Sequence, residues 1–133
     1  MVWEEPITDR TAEDVAYRRK KAYCNAGDLN RLEGNSGILG ALFGLRLNTR
    51  TWQREDFPTV GELNRILENI EALRAAYYTR QDTPATPQMP LNTWEKWNAA
   101  ETILRDLYQI WHKNKEVALR TGESWSGEGI GVI

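Results

Sequence analysis

The chain has 133 residues and a formal net charge of −2, so its length fits one domain with a substantial core and its charge gives no general attraction to nucleic acid. The single cysteine, Cys24, excludes an internal disulfide and a zinc site built from cysteines. Residues 1–10 lack the hydrophobic run of a secretory signal, and no apolar stretch reaches the length of a membrane span. We therefore expect a cytoplasmic protein without a membrane partner.

The chain begins with a predicted irregular N-terminal arm, residues 1–10. A first helix is predicted from Ala12 to about Ala22, because Thr11 and Asp14 have the spacing of a capping box. The basic run at residues 18–21 then lies at the end of this helix, where cations interact favourably with the helix dipole. The alternative is that this basic run is a binding patch for an acidic partner. Nucleic acid is the weaker candidate for that partner, because the chain as a whole is negatively charged.

Three longer helices are predicted to follow, because one pattern recurs at a spacing of 34 residues. The helices start near residues 25, 59 and 93, and each has apolar residues at a 3-4-3-4 spacing, which is typical of an amphipathic helix with one buried seam. The first seam position is occupied by Leu29, Leu63 and Trp97. Solenoids can share this period, but each unit here supplies one helix and the connections differ, so we expect one helix type used three times.

Glycines and prolines mark the limits and contacts of these helices. Gly34, Gly37 and Gly40 lie within the helix that starts near residue 25, and they predict that a neighbouring helix approaches closely, since glycine otherwise destabilises a helix interior. Gly44 is predicted to end it. Residues 45–58 fit either a short extended segment or a long loop, and the three prolines within residues 80–92 predict a stiff crossover.

An asparagine follows the first seam position in every repeat: Asn30, Asn64 and Asn98. Because asparagine is unfavourable inside helices, its recurrence predicts an amide–backbone or amide–amide contact between helices that fixes their register. Ligand binding by these amides is the alternative. The next position holds Arg31 and Arg65 but Ala99 in the third repeat, so we expect both arginines to face solvent or a partner.

No constellation of residues predicts catalysis, a metal site or a cofactor. His112 is the only histidine and has no companion ligand, so we expect it on the surface. Cys24 has no histidine near it in sequence, and a small semi-buried side chain is the favoured interpretation over a nucleophile. Glu101 stands in a pattern that is ordinary for an exposed residue. We therefore predict that the protein is not an enzyme.

The last segment, residues 120–133, is rich in glycine but contains large apolar side chains, which disordered tails usually lack. We predict a docking arm that becomes ordered on a partner, for example by adding a strand to a sheet edge. The candidate interface residues are Trp3 in the N-terminal arm and, in this tail, Trp125, Ile130, Val132 and Ile133.

Two segments, 25–35 and 52–66, resemble small tail-region proteins of phages and prophages of Gram-positive bacteria, and residues 7–15 resemble the start of such proteins. In that group, Leu-Asn-Arg-Ile segments form helices that pack as bundles or coiled coils in baseplate and tail-fibre components. The resemblance implies a virion tail subunit that is present in the host cytoplasm during assembly. It implies other tail or baseplate proteins as partners, self-association within the assembly, and no catalytic residues or cofactors.

The predicted fold is an all-α, four-helix bundle-like domain over residues 11–119, with arms at residues 1–10 and 120–133 and a proline-rich crossover. The predicted function is a structural subunit of a phage or phage-derived tail, at the baseplate or the fibre attachment. The alternative function is a cytoplasmic helical adaptor or assembly chaperone that holds another protein through the aromatic seam. Nucleic acid is an unlikely partner on this prediction.

Overall fold

The computed structural model of the protein describes residues 2–19 and 25–121, with the side chains of the last helix described up to Lys115. Four helices follow in chain order: α1 (Ala12–Ala16), α2 (Ala26–Phe43), α3 (Val60–Ala76) and α4 (Trp94–Thr121). The described residues contain no strand, and α2, α3 and α4 pack against each other. The predicted all-α, bundle-like fold is therefore confirmed.

The three long helices begin 34 residues apart, and similar caps set their starts. Asn25 caps α2 and Thr59 caps α3, and each forms a capping box with the acidic residue three positions on. At α4, the Thr93 hydroxyl accepts a hydrogen bond from the Lys96 backbone N–H at 3.3 Å. At α3, the backbone N–H of Thr59, helped by the Arg50 guanidinium, lowers the pKa of Glu62.

The three long helices run in the same direction. Near the helix starts, Arg31 of α2 pairs with Glu101 of α4. Glu33 of α2 likewise pairs with Arg65 of α3. Near the helix ends, the ring of Phe43 of α2 stacks on the ring of Tyr77, the residue that ends α3, with 4.8 Å between centroids, and the Tyr77 hydroxyl accepts from the Asn114 side chain of α4 at 2.9 Å. A parallel arrangement requires the chain to return along the bundle after each helix. Residues 45–58, the first return segment, and residues 77–92, the second return segment, make these returns.

The predicted seam is the core of the bundle. Leu29 and Trp97 are buried, and Leu63 is half-buried against them. The three helices contribute residues to the core at the same repeat positions; the buried ones are Leu32, Ile66, Ala100, Ile70, Leu104, Leu39, Leu73 and Leu107. Ser36 occupies the α2 position equivalent to Ile70 and Leu104 and is also buried. Since each layer draws on all three helices, the repeat builds one shared core instead of a stack of units.

The prediction that a neighbouring helix approaches the glycines of α2 is wrong at Gly40. A Cβ on Gly40 would lie 3.1 Å from Leu47 and 3.3 Å from the Leu45 carbonyl oxygen. The first return segment, and not a neighbouring helix, therefore needs the small residue there. Gly44 ends α2 as predicted, with a positive φ of 76° that favours glycine.

The first helix is shorter than predicted. α1 ends at Ala16, because Arg18 adopts a positive φ of 53° and the Arg19 N–H donates to the Asp14 carbonyl at 2.8 Å. This is the hydrogen bond of a Schellman motif, with an arginine where glycine is usual. Arg18 and Arg19, the described part of the basic run, therefore lie beyond the helix, and Arg19 pairs with Asp14 at 2.9 Å.

None of the described helices is both long enough and apolar enough to cross a membrane.

Candidate functional site

The N-terminal arm, described from Val2 to Arg10, lies along α2 and α4. Near its start, the Glu4 N–H donates to the Asn35 side-chain oxygen at 3.0 Å, and the Asn35 amide donates back to the Glu4 carbonyl at 2.8 Å. Near its end, Asn98 makes the same pair of bonds with the Arg10 backbone, at 3.1 and 2.9 Å. An asparagine amide has a donor and an acceptor side by side, so it can satisfy both backbone groups of one residue.

The arm ends at a buried cluster of two arginines and two acids. Glu101 is only 1% exposed and accepts two hydrogen bonds from Arg31, at 2.6 and 2.7 Å, and one from Arg10 at 2.8 Å. Asp28 accepts from Arg31 at 2.6 Å and lies 3.5 Å from Arg10. The four charges sum to zero, which is the condition under which a protein interior tolerates them.

The cluster favours the charged form of Arg31. Burial by itself disfavours the Arg31 cation, but the hydrogen bonds and negative charges of Glu101 and Asp28 outweigh that effect and raise the pKa of Arg31 above its usual range. Glu101 also accepts a hydrogen bond from the Ile7 N–H at 3.1 Å. One carboxylate therefore joins α2, α4 and the arm.

The first return segment is held between α2 and α3 in a similar way. Asn30 pairs with the backbone of Trp52, donating to its carbonyl at 3.0 Å and accepting from its N–H at 2.6 Å. The Trp52 indole N–H donates to the buried Glu33 at 2.8 Å. Arg65 of α3 donates to both oxygens of Glu33, at 2.9 and 2.7 Å, and this contact raises the pKa of Arg65. Arg50 covers the Trp52 ring at 4.0 Å.

These two arrangements are related by the 34-residue repeat. Arg31 and Arg65 occupy one repeat position, and their acceptors Glu101 and Glu33 occupy another. Each pair joins one helix to the next around the bundle. The third pair would join Ala99 of α4 to Leu67 of α3, and neither side chain can form an ion pair. The α3–α4 groove therefore uses different contacts.

In the α3–α4 groove, the second return segment is held through the buried Asp106. The Thr83 hydroxyl donates to Asp106 at 2.7 Å, and Arg80 donates at 2.8 Å. Arg74 of α3 donates to the Pro84 carbonyl at 3.1 Å. Pro87 and Pro90 have no backbone N–H, so neither can satisfy an asparagine amide as Trp52 and Arg10 do.

The three repeat asparagines therefore differ in role. Asn30 and Asn98 contact backbone, as we expected, but the backbone of non-helical segments and not of another helix. Asn64 is exposed and donates to Glu68 of its own helix at 3.2 Å. Asn35, which is not among the residues predicted from the sequence, makes the same kind of contact as Asn30 and Asn98.

Two expectations about charged residues are wrong. Arg31 is buried and Arg65 is half-buried in an ion pair, so the arginines hold helices together and do not face solvent. Glu101 is one of the most buried side chains of the protein, not an exposed one. A signal for this did exist: Glu33 and Glu101 occupy the same repeat position, two repeats apart.

The remaining predicted site residues have different places. Trp3 is half-buried and stacks on Tyr108 of α4, with 3.8 Å between centroids and 5° between planes; its contact with a neighbouring subunit stays a prediction. His112 is exposed at the edge of the Tyr108 and Trp111 rings. The following predicted residues lie outside the described part of the chain: Cys24, Trp125, Ile130, Val132 and Ile133.

The repeat supplies its own control for the asparagine contacts. We expect Asn30→Ala and Asn98→Ala each to lower the free energy of unfolding by about 1–3 kcal/mol, because each leaves two backbone groups without their partners. Asn64→Ala removes the same side chain at an exposed position, and we expect a change within about 0.5 kcal/mol. Urea unfolding followed by circular dichroism measures all three, and equal losses would contradict the assigned roles.

The arrangement is suited to holding peptide segments. Over residues 2–19 and 25–121, no group of three or more histidine, cysteine, aspartate or glutamate side chains is placed to hold a metal. The buried carboxylates Glu101, Glu33 and Asp106 each accept hydrogen bonds from an arginine and from a non-helical segment. The candidate functional surfaces are therefore the grooves and the two ends of the bundle.

Comparisons with protein-family models, with curated proteins and with solved structures found no match for this chain.

Proposed function

We propose that the protein is a structural subunit of a bacteriophage or phage-derived tail, in the baseplate or fibre-attachment region, and that it acts by packing against other proteins. The observation that carries this proposal is that each of the three grooves between the long helices is occupied by a segment of the chain itself. These segments are the N-terminal arm and the two return segments. Such a bundle is a rigid block, and rigid blocks suit an assembly that must keep its shape. The resemblance of the Leu-Asn-Arg segments to tail-region proteins supplies the class of assembly.

Large apolar side chains are exposed at both ends of the bundle. Phe57 and Val60, where α3 begins, are 88% and 71% exposed. At the opposite end, Leu42 near the end of α2 and Tyr78 just beyond α3 are exposed as well. Exposed apolar groups of this size often mark contacts with other proteins. The two ends are therefore the surfaces through which we propose that neighbouring subunits are contacted.

An adaptor or chaperone that holds its client through the aromatic seam has less support, because that seam is buried inside the bundle. Trp97, its largest residue at the first seam position, is 7% exposed. An adaptor would have to bind its client at the exposed ends instead.

The proposal is tested in phage-like particles purified from a producing host. We expect the chain in the particles at a fixed copy number by quantitative mass spectrometry. Leu42→Asp combined with Tyr78→Asp should remove it from particles while the isolated protein keeps its helical content. Ala72→Asp, at an exposed position in the second half of α3, is the control and should leave incorporation unchanged. Normal tails assembled without the chain would overturn the proposal.

A further inference from the structure

The groove between α2 and α4 contacts the N-terminal arm as a receptor contacts a peptide. The arm's backbone is bound at three residues spaced three apart, Glu4, Ile7 and Arg10. The receiving groups are the amides of Asn35 and Asn98 and the carboxylate of Glu101. Backbone contacts of this kind give affinity for any segment of suitable conformation and fix its register.

Two side chains of the arm supply specificity. Trp3 stacks on Tyr108, and seven positions later Arg10 enters the buried pocket formed by Glu101 and Asp28. The arginine cannot be replaced by an uncharged residue without leaving the pocket with a net negative charge, since Arg31 alone then faces two carboxylates. By contrast, Glu5 and Asp9 are exposed. The groove therefore selects an aromatic residue followed seven positions later by an arginine.

We propose that the α2–α4 groove is a peptide-binding site, and that its partner in an assembly is the N-terminal arm of a second copy of this chain. The contacts that hold the arm depend on its sequence and not on its covalent link to α2. A second copy carries the same arm, so it presents a ligand with every required group. The inference rests on the proposed function in one respect, because it names how copies would join within the assembly.

Concentration decides which arm occupies the groove. A tethered arm has an effective concentration on the order of millimolar, so an isolated molecule in dilute solution binds its own arm, as in the structure. In an assembly, neighbouring arms reach similar local concentrations and the advantage of the tether disappears. Exchange of arms then links copies without creating any new type of contact.

The peptide site is tested in the full-length chain with its own arm disabled. In the variant Trp3→Ala with Arg10→Ala, we expect a fluorescent synthetic peptide of residues 2–11 to bind with 1:1 stoichiometry. A peptide carrying Arg10→Ala should bind about tenfold more weakly or worse. The unmodified chain should bind the peptide about 100-fold more weakly, because its tethered arm competes. The control variant, Arg54→Ala with Tyr17→Ala, removes an exposed arginine and an exposed aromatic residue and should behave like the unmodified chain.

The second copy as partner is tested by mixing two variants. The Trp3→Ala, Arg10→Ala chain has an intact groove and a disabled arm. The Asn35→Ala, Asn98→Ala chain has an intact arm and a weakened groove. We expect sedimentation velocity to show a complex of the two that neither forms alone. If the first double variant does not fold, Trp3→Ala alone replaces it, since Trp3 is only half-buried. Its own arm is then weakened and still competes, so we expect binding between that of the double variant and that of the unmodified chain.

A folded variant that does not bind the peptide, or binds it no better than the Arg10→Ala peptide, would overturn the peptide site. Peptide binding without formation of the mixed complex would overturn the second copy as the partner. Absence of the chain from phage-like particles would remove the proposed function and leave the peptide titration unchanged, so the two failures are distinguishable.

Discussion

Glu101→Gln is expected to lower the free energy of unfolding by about 3–5 kcal/mol, because it removes one negative charge from a buried cluster in which Arg10, Arg31 and Asp28 remain. Glutamine has nearly the same shape, so the loss reports charge and hydrogen bonding and not packing. With typical domain stabilities of about 5–15 kcal/mol, this one substitution should shift the urea midpoint strongly.

Glu68→Gln is the matched control for this prediction. Glu68 is exposed on α3 and accepts a hydrogen bond only from Asn64 among the bonds described, so we expect its replacement to change stability by no more than about 0.5 kcal/mol. The two variants are compared by urea unfolding at neutral pH, with the denaturant slope checked for equality. A loss below about 1 kcal/mol for Glu101→Gln would contradict the role assigned to the cluster.

Trp52→Ala should have an effect of similar size, about 3–5 kcal/mol. Trp52 is the buried anchor of the first return segment, 2% exposed, and its ring lies under the Arg50 guanidinium while its indole N–H reaches Glu33. Removing it opens a cavity between α2 and α3 and takes a hydrogen bond from a buried carboxylate.

Trp52→Phe separates the two parts of that effect. It keeps most of the apolar contact and loses the N–H, and we expect about 1–3 kcal/mol. Phe57→Ala, an equally drastic truncation at an exposed position five residues on, should cost at most about 0.5 kcal/mol. Thermal unfolding by calorimetry measures the series. Equal shifts for Trp52→Ala and Phe57→Ala would show that the first return segment contributes little to stability.

The sequence predicted the helices well because caps and seams are local signals. The Thr11–Asp14 capping box is predicted and present, and the helix starts predicted near residues 25 and 59 coincide with the caps Asn25 and Thr59. The buried seam at Leu29 and Trp97 followed from periodicity alone. The end of α1 was missed because the left-handed conformation occurs at Arg18, where the usual glycine signal is absent.

The direction of the helices and the buried charges were not predicted, for physical reasons. A seam of apolar residues packs equally well against a parallel or an antiparallel neighbour, so it contains no signal for direction. Charged residues such as Glu101 and Arg31 are exposed in most proteins, and only their partners make burial acceptable. Those partners, Arg10 among them, are brought close by the tertiary fold. The partner of an asparagine amide is equally undetermined by sequence, as Asn64 shows.

The N-terminal arm and α4 contact each other although they lie far apart in the sequence. The Ile7 N–H and the Glu101 carboxylate that receives it are 94 positions apart along the sequence. Helical bundles usually fold fast because their contacts are local, whereas contacts between distant positions slow folding. During synthesis, the arm leaves the ribosome long before α4 and must wait until α4 can receive it. We expect the arm to dock last, after a bundle with an unoccupied groove has formed.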